Sequence, residues 1–375
     1  MDYYFKTEKL SVGYQKKPVV EEVGIGIRKG EILTLIGPNG AGKSTVLKSI
    51  AGQLAPLAGT VYIDGKDKSS LDEKELSRRL SVVWTQKLRA ERMTCEDVVA
   101  TGRYPYTGRF GILTKEDHEK VEEAMELVHV SELGDCDFTC VSDGQRQQVM
   151  LARAICQEPE ILILDEPTSY LDVRHKLEIL SFLQEMQRKK NLTVIMSLHE
   201  LDLAAKVSDK ILCLNGRYAQ RFGTPEDIFE RGYLSELFGI QTGSYEEESG
   251  CMELEKAKGE ASVFVIAGMG KGRNVYRRLQ RQGVPFVTGI LYDNDQDYPV
   301  AKALGTEVYV QKGLEPVPEE LLSQAKIALD ACDIVINCRR EFGSLEQANR
   351  ELLEYARARG KVIERCYGDR KQKGG

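Results

Sequence analysis

The chain has 375 residues, of which 42% are hydrophobic and 29% charged, with a net charge of −6. That length exceeds what one hydrophobic core usually covers, so two domains are expected, and the composition is that of a soluble globular protein. The acidic balance excludes a general nucleic-acid binder, no apolar run approaches the roughly 18 to 20 residues that cross a bilayer, and the opening residues MDYYFKTEKL lack a signal-peptide pattern.

The first informative element is an apolar run, Glu31-Ile-Leu-Thr-Leu-Ile36, read as a strand that enters a glycine-rich loop. The loop is Gly37-Pro38-Asn39-Gly40-Ala41-Gly42-Lys43-Ser44-Thr45, and a helix is expected over Ser44 to Ala51. Strand, glycine loop and helix form the setting in which G-x-x-x-x-G-K-[ST] cradles phosphate. The glycines let backbone N–H groups point inward, and the helix N-terminus adds positive potential. Lys43 is expected to reach the β- and γ-phosphates, and Ser44 to place its hydroxyl on Mg²⁺. Next come Val82-Val-Trp-Thr-Gln86 and Met93-Thr-Cys-Glu-Asp-Val-Val-Ala-Thr-Gly-Arg-Tyr-Pro-Tyr106. Val141-Ser-Asp-Gly-Gln145 then opens a helical stretch to about Gln157.

Ile161-Leu-Ile-Leu-Asp-Glu-Pro167 reads as a strand buried on both faces, as in a parallel sheet, with two carboxylates at its C-terminal end. Asp165 is expected to hold Mg²⁺ and Glu166 to activate the attacking water as general base. Ser169-Tyr-Leu-Asp172 follows, and a strand Leu192 to Met196 leads to His199. The nine cysteines show no metal-ligand spacing; Cys136 and Cys140 have no second pair, and reduced thiols are expected.

Together these motifs make the chain, over about residues 1 to 240, resemble the ATP-binding subunit of an ATP-binding cassette (ABC) transporter. In that family two copies pack head to tail, each ATP lying between one copy's phosphate loop and the other's signature segment. The resemblance implies that Tyr14 stacks on adenine and that Gln86 touches Mg²⁺ and water and reports to a membrane partner. It implies that Ser142, Gly144 and Gln145 grip the γ-phosphate of the facing copy. Asp172 is expected to cross the dimer interface and His199 to contact the γ-phosphate. The signature departs from Leu-Ser-Gly-Gly-Gln at Val141 and Asp143. Asp143 suits a helix start, yet brings negative charge towards a bound phosphate.

The run Thr94-x-x-Asp97-Val-Val followed by Gly102-Arg-Tyr-Pro105 is similar to importers of iron–siderophore, haem and cobalamin, as are His199-Glu-Leu-Asp-Leu-Ala204 and Gly223-Thr-Pro-Glu226. The resemblance implies ATP and Mg²⁺ as cofactors, a homodimer, an integral membrane permease and an extracytoplasmic substrate-binding protein. It places the chain peripherally on the cytoplasmic face of the cell membrane, with no nucleic-acid partner. The alternative is a soluble ABC ATPase without a membrane partner.

The expected division is an ATPase domain over 1–244, a charged linker without strand pattern over 245–260, and a second α/β domain over 261–375. In the last, strands at Ser262 to Ala267, Val284 to Leu291, Glu307 to Val310, Ile334 to Asn337 and Val362-Ile363 alternate with helices at Asn274 to Gln282, Pro318 to Ala331 and Ser344 to Arg359. This is a small Rossmann-like, doubly wound unit. Its turn, Gly268-Met-Gly-Lys-Gly272, falls short of G-x-G-x-x-G because Arg273 takes the last glycine position. Asp293 lies where a ribose-binding acid is expected, and Lys271 and Arg273 could attract an anion. Two readings stand: a regulatory sensor with ligand over Gly268, Asp293 and Asn337, or a module that steadies the dimer.

Overall fold

Along the first residues, buried side chains are interspersed with exposed ones in strands β1 (Phe5–Tyr14) and β2 (Lys17–Ile27), which pair antiparallel with register shifts. Gln15 and Lys16 join them, both at positive φ (50° and 63°), the handedness that matches strand twist in a two-residue hairpin. The structure is a computed structural model that describes residues 3–85, 90, 92–108, 110–246 and 250–365. The chain divides into two compact units, Met1–Phe238 and Gly239–Gly375.

In the first unit β3 (Ile32–Ile36) follows, then β4 (Ala58–Ile63), β5 (Lys66–Asp67) and β6 (Leu80–Val83). β7 (Ile161–Asp165), β8 (Thr193–Ser197), β9 (Lys210–Asn215) and β10 (Tyr218–Gly223) complete a ten-stranded sheet in the order β5-β4-β1-β2-β10-β9-β3-β8-β7-β6. The strands from β9 to β6 are parallel, and every residue of β3, β7 and β8 is buried, as the continuous apolar runs require. The helix Lys43–Ala51 leaves β3 and buries Val46, Leu47 and Ile50 in the same core as Leu33, Leu35, Ile163 and Ile195. A helical layer, Cys95–Ala100, Lys115–Leu127 and Asp143–Cys156, packs on itself beside the sheet.

The second unit begins with a hairpin, β11 (Ser244–Glu246) and β12 (Cys251–Glu253). The expected linker is therefore corrected: part of it is a strand pair, with Tyr245 buried opposite Met252 and Glu253 forming a forked ion pair with Arg277. Its charges hid a strand because one of them is neutralised by a partner far along the chain. The unit boundary also falls at Phe238, earlier than the expected 244.

β13 (Val263–Ile266), β14 (Phe286–Tyr292), β15 (Glu307–Gln311), β16 (Ile334–Asn337) and β17 (Val362–Arg365) form a parallel sheet ordered β15-β14-β13-β16-β17. One face packs on the helices Arg273–Arg281 and Tyr298–Leu304, the other on Glu319–Ala331 and Gln347–Ala358. The doubly wound expectation agrees with this sheet. The short helix Tyr298–Leu304, opened by Pro299, was not anticipated.

Candidate functional site

The phosphate loop connects the end of β3 to its helix, and its geometry depends on glycine. A Cβ on Gly37 (φ 149°) would lie 2.0 Å from the Leu214 carbonyl oxygen, and one on Gly42 (φ 93°) 2.4 Å from Val20. Lys43 is buried, and its Nζ donates to the carbonyls of Gly37 (2.7 Å) and Pro38 (3.1 Å), so the lysine closes the loop on itself. Burial pushes its pKa down, opposed by the nearby charges of Glu166 and Asp165. Pro38, Asn39, Gly40, Ala41 and Thr45 complete the loop and the first helical turn.

Parallel register brings the second half of the site to it. Asp165 ends β7 directly opposite Ser197 at the end of β8, and Ser197 lies opposite Leu35 of β3. The buried Asp165 carboxylate accepts hydrogen bonds from the hydroxyls of Ser44 (3.0 Å) and Ser197 (2.8 Å) through one oxygen. Ser197 also accepts the backbone N–H of Glu166 at 2.9 Å. Glu166 has a left-handed backbone (φ 51°), an uncommon conformation for a residue with a side chain and one that recurs at functional sites. Its carboxylate meets His199 Nε2 at 2.6 Å through Oε1 and accepts from the Ser169 hydroxyl at 3.0 Å through Oε2. Thr85 donates its hydroxyl to the Asp165 carbonyl at 2.6 Å. Gln86 lies outside the described residues.

The fold thus gathers Lys43, Ser44, Asp165, Glu166 and His199 in one connected site. Ser197, Ser169 and Thr85 were missed by sequence reasoning. Ser197 carried one faint signal, its place two residues before His199 at a strand end.

The signature residues form a second group, bonded among themselves. Ser142 caps the helix Asp143–Cys156: its hydroxyl accepts from Gln145 N, and Gln145 Oε1 accepts from Ser142 N. Asp143 is ion-paired with Arg146 at 2.7 Å, and the same guanidinium donates to the Thr139 and Val141 carbonyls just before the helix. A Cβ on Gly144 would rest 3.6 Å from Leu171 and 3.7 Å from His175. Asp172 caps the helix Val173–Lys190, accepting from both the backbone N–H and Nδ1 of His175, and these bonds hold its carboxyl below the usual range. Tyr14 is 48% exposed at the end of β1.

Arg103 organises the helical layer. Nearly buried, it pairs with Asp117 (2.9 Å) and Glu158 (3.0 Å), donates to the Cys156 carbonyl (2.8 Å) and lies over the Tyr106 ring. Arg153 donates to the Thr101 hydroxyl, and Gly102 sits where a Cβ would be 2.3 Å from the Arg153 carbonyl oxygen. At the other end of this segment, Cys95 N donates to Cys136 O and Phe138 N to Met93 O. The segment Met93 to Tyr106 is therefore tied to both flanks of the signature helix.

In the second unit, Asp293 and Asn337, two of the residues expected beside a ligand, and Arg273, expected to attract an anion, bond to the unit's own backbone. Asp293 accepts from Gly313 N (2.7 Å), and Asn337 exchanges two bonds with the backbone of Arg339. Arg273 donates its guanidinium to the Gln296 carbonyl. Lys271 is exposed.

Comparison with known proteins gives two families: ABC transporter over residues 20–169 and the MJ0874 family over residues 286–372. The chain is 42% identical to the ABC transporter ATP-binding protein MJ0873 of Methanocaldococcus jannaschii, across 76% of this chain and 99% of that protein. It is 33% identical to the iron(3+)-hydroxamate import ATP-binding protein FhuC of Bacillus subtilis, across 69% and 98% of the two chains. It is 31% identical to the cobalamin import ATP-binding protein BtuD of Halobacterium salinarum, across 84% and 81%. Among solved structures it is similar to one described as an inward-facing metal-chelate type ABC transporter, with a TM-score of 0.58, 26% identity, and 67% of this chain and 96% of that one covered. With the phosphate loop, the strand-end carboxylates and these relatives in agreement, the chain belongs to the ABC transporter ATP-binding proteins and is an ATPase.

Proposed function

We propose that this chain is the ATP-hydrolysing subunit of an importer of a metal chelate, acting as a homodimer on the cytoplasmic face of the cell membrane. The observation that carries the chemistry is the continuous bonding from Ser44 through Asp165 and Ser197 to Glu166 and His199. Lys43, already aimed by two loop carbonyls, exchanges those bonds for the β- and γ-phosphate oxygens of ATP. Glu166 is the general base: it takes a proton from the attacking water, with Ser169 and His199 fixing the carboxylate plane. His199 contacts the γ-phosphate, and Gln86 the water. The hydroxyl of Ser44 and the carboxylate of Asp165, both hard oxygen donors 3.0 Å apart, fit a divalent cation of the Mg²⁺ type, which would neutralise phosphate charge there.

In the dimer, Ser142, Gly144 and Gln145 of one copy grip the γ-phosphate held by the other, Asp172 crosses between copies, and Tyr14 stacks on adenine. Because Met93 to Tyr106 is tied to both flanks of the signature helix, a permease docked on that segment follows the dimer as it closes and reopens. A binding protein outside the membrane would deliver the cargo. The unit Met1–Phe238 is read as the ATPase domain and the unit from Gly239 onward as an accessory domain acting on it.

The cargo class rests on relatives that import iron–hydroxamate and cobalamin. Of those named here, the cobalamin import protein matches the largest share of this chain, 84%, which extends beyond the first unit. A corrinoid is therefore the first cargo to test. Deletion of this chain from its host should abolish accumulation of cobalamin, or failing that of haem or a ferric siderophore. Wild-type chain should restore it and Lys43→Ala should not. Undiminished uptake of all three classes would sink the transport reading and revive the soluble ATPase.

A further inference from the structure

In a doubly wound sheet, ligands gather where the strand order reverses, and the loop after the first strand turns free N–H groups to phosphate. Here that loop leaves β13 beside β16, the point of reversal. Gly268, Met269 and Gly270 follow in succession at φ 128°, 54° and 72°, a run of left-handed backbone that curls the chain.

Most of the N–H groups around this curl already have a partner. Gly268 N and Gly272 N donate to Oδ2 of Asp297 at 3.0 and 2.8 Å, and Arg273 N to its Oδ1 at 3.2 Å. Met269 N donates to Asp295 at 2.7 Å. Asp297 is 0% exposed, enclosed between the loop and the start of the helix Tyr298–Leu304. Around Gly268 the space is equally taken. A Cβ there would meet Asp295 at 3.3 Å, Glu346 at 3.6 Å and Arg339 at 3.7 Å, and Arg339 is ion-paired with Glu346 at 2.6 Å. A phosphate entering the loop would have to expel a buried carboxylate while facing Asp295 and Glu346.

We propose that Asp297 is a built-in anion that occupies the phosphate seat of this unit, so that the unit takes no nucleotide or dinucleotide at its glycine loop. The carboxylate uses the same donors a pyrophosphate would use, and it is covalently part of the fold, so no soluble anion competes at ordinary concentrations. The Rossmann-like sheet then serves as a scaffold, and any regulation by this unit acts through other surfaces. This inference stands on the second unit alone and is independent of the transport reading.

The test is amide hydrogen exchange on the full-length protein. NAD⁺, NADP⁺ and pyrophosphate at millimolar concentration should leave exchange at Gly268, Gly272 and Arg273 unchanged, while ATP slows exchange over Gly37 to Thr45 as the positive control. Asp297→Asn, which keeps the shape but turns one of the two acceptor oxygens into a donor, should accelerate exchange tenfold or more either at Arg273 or at Gly268 and Gly272, whichever faces the new amide. Slowed exchange there with any of the three ligands would overturn the proposal. So would an Asp297→Asn protein whose loop exchanges as slowly as wild type. Should that variant unfold the unit, the wild-type ligand titration decides alone.

Discussion

Arg103→Met should destabilise the ATPase unit by about 3 kcal/mol, a value set by what the change strands. Arg103 and Asp117 are 5% and 7% exposed in their side chains, so deleting the guanidinium leaves a nearly buried carboxylate without its cation. Breaking one side of a buried pair costs about 3–5 kcal/mol. Asp117 keeps bonds from Thr114 N (2.9 Å) and the Thr114 hydroxyl (2.8 Å), and sits in the first turn of its helix, which places the loss at the lower end. The partner Glu158 is 43% exposed and adds little. The chain's single tryptophan, Trp84, packs against the core of the first unit, so its fluorescence reports on that unit alone. For a unit of this size, about 3 kcal/mol lowers the melting temperature by about 6–12 °C. Adding Asp117→Asn to the variant removes the stranded charge and should recover about 1 kcal/mol or more. An Arg103→Met protein within about 1 kcal/mol of wild type, or a double variant no better than the single, would refute the clamp.

Ser197→Ala should lower kcat about tenfold or more at unchanged ATP affinity, because it removes the hydroxyl that joins Asp165 to the Glu166 backbone; steady-state kinetics beside a nucleotide-binding titration check this. Asp143→Gly should leave turnover within about tenfold, since its exposed pair with Arg146 is worth about 0–1 kcal/mol, and should tighten ATP-driven dimerisation seen by sedimentation. A dead enzyme or a weaker dimer would contradict that reading. Lys68 donates to the carbonyls of Ser49 and Ile50, and burial pushes its pKa from 10.5 down to about 8. The unfolded state therefore holds more protons between those values, and stability gains from this lysine as pH rises from about 8 towards 10.5. Wild type should improve relative to Lys68→Met across that window in urea unfolding, and a constant difference would argue against it.

Much of the site could be read from local pattern, because its residues sit in motifs with a local mechanism. The loop Gly37 to Thr45 needs glycine where a Cβ would strike Leu214 or Val20, and the apolar run of β7 marks a strand buried on both faces with Asp165 at its end. What escaped was long-range. Ser197 matters only because β8 lies between β3 and β7, an order no local pattern encodes. The strand β12 escaped because Glu253 is compensated by Arg277, and the glycine turn at Gly268 looked like an anion site because Asp297, far along the chain, fills it. Asp293 sat at the expected spacing but faces a turn at Gly313. Spacing placed it correctly along the sequence and said nothing of which N–H it would meet.

The most direct test of the central claim is ATP turnover by Glu166→Gln beside wild type, with nucleotide binding measured on both. With Glu166 as general base, the variant should bind ATP as wild type does and lose about a hundredfold or more in kcat. Hydrolysis at the wild-type rate would show that the proton leaves the water by another route, and the assignment of the site would fall.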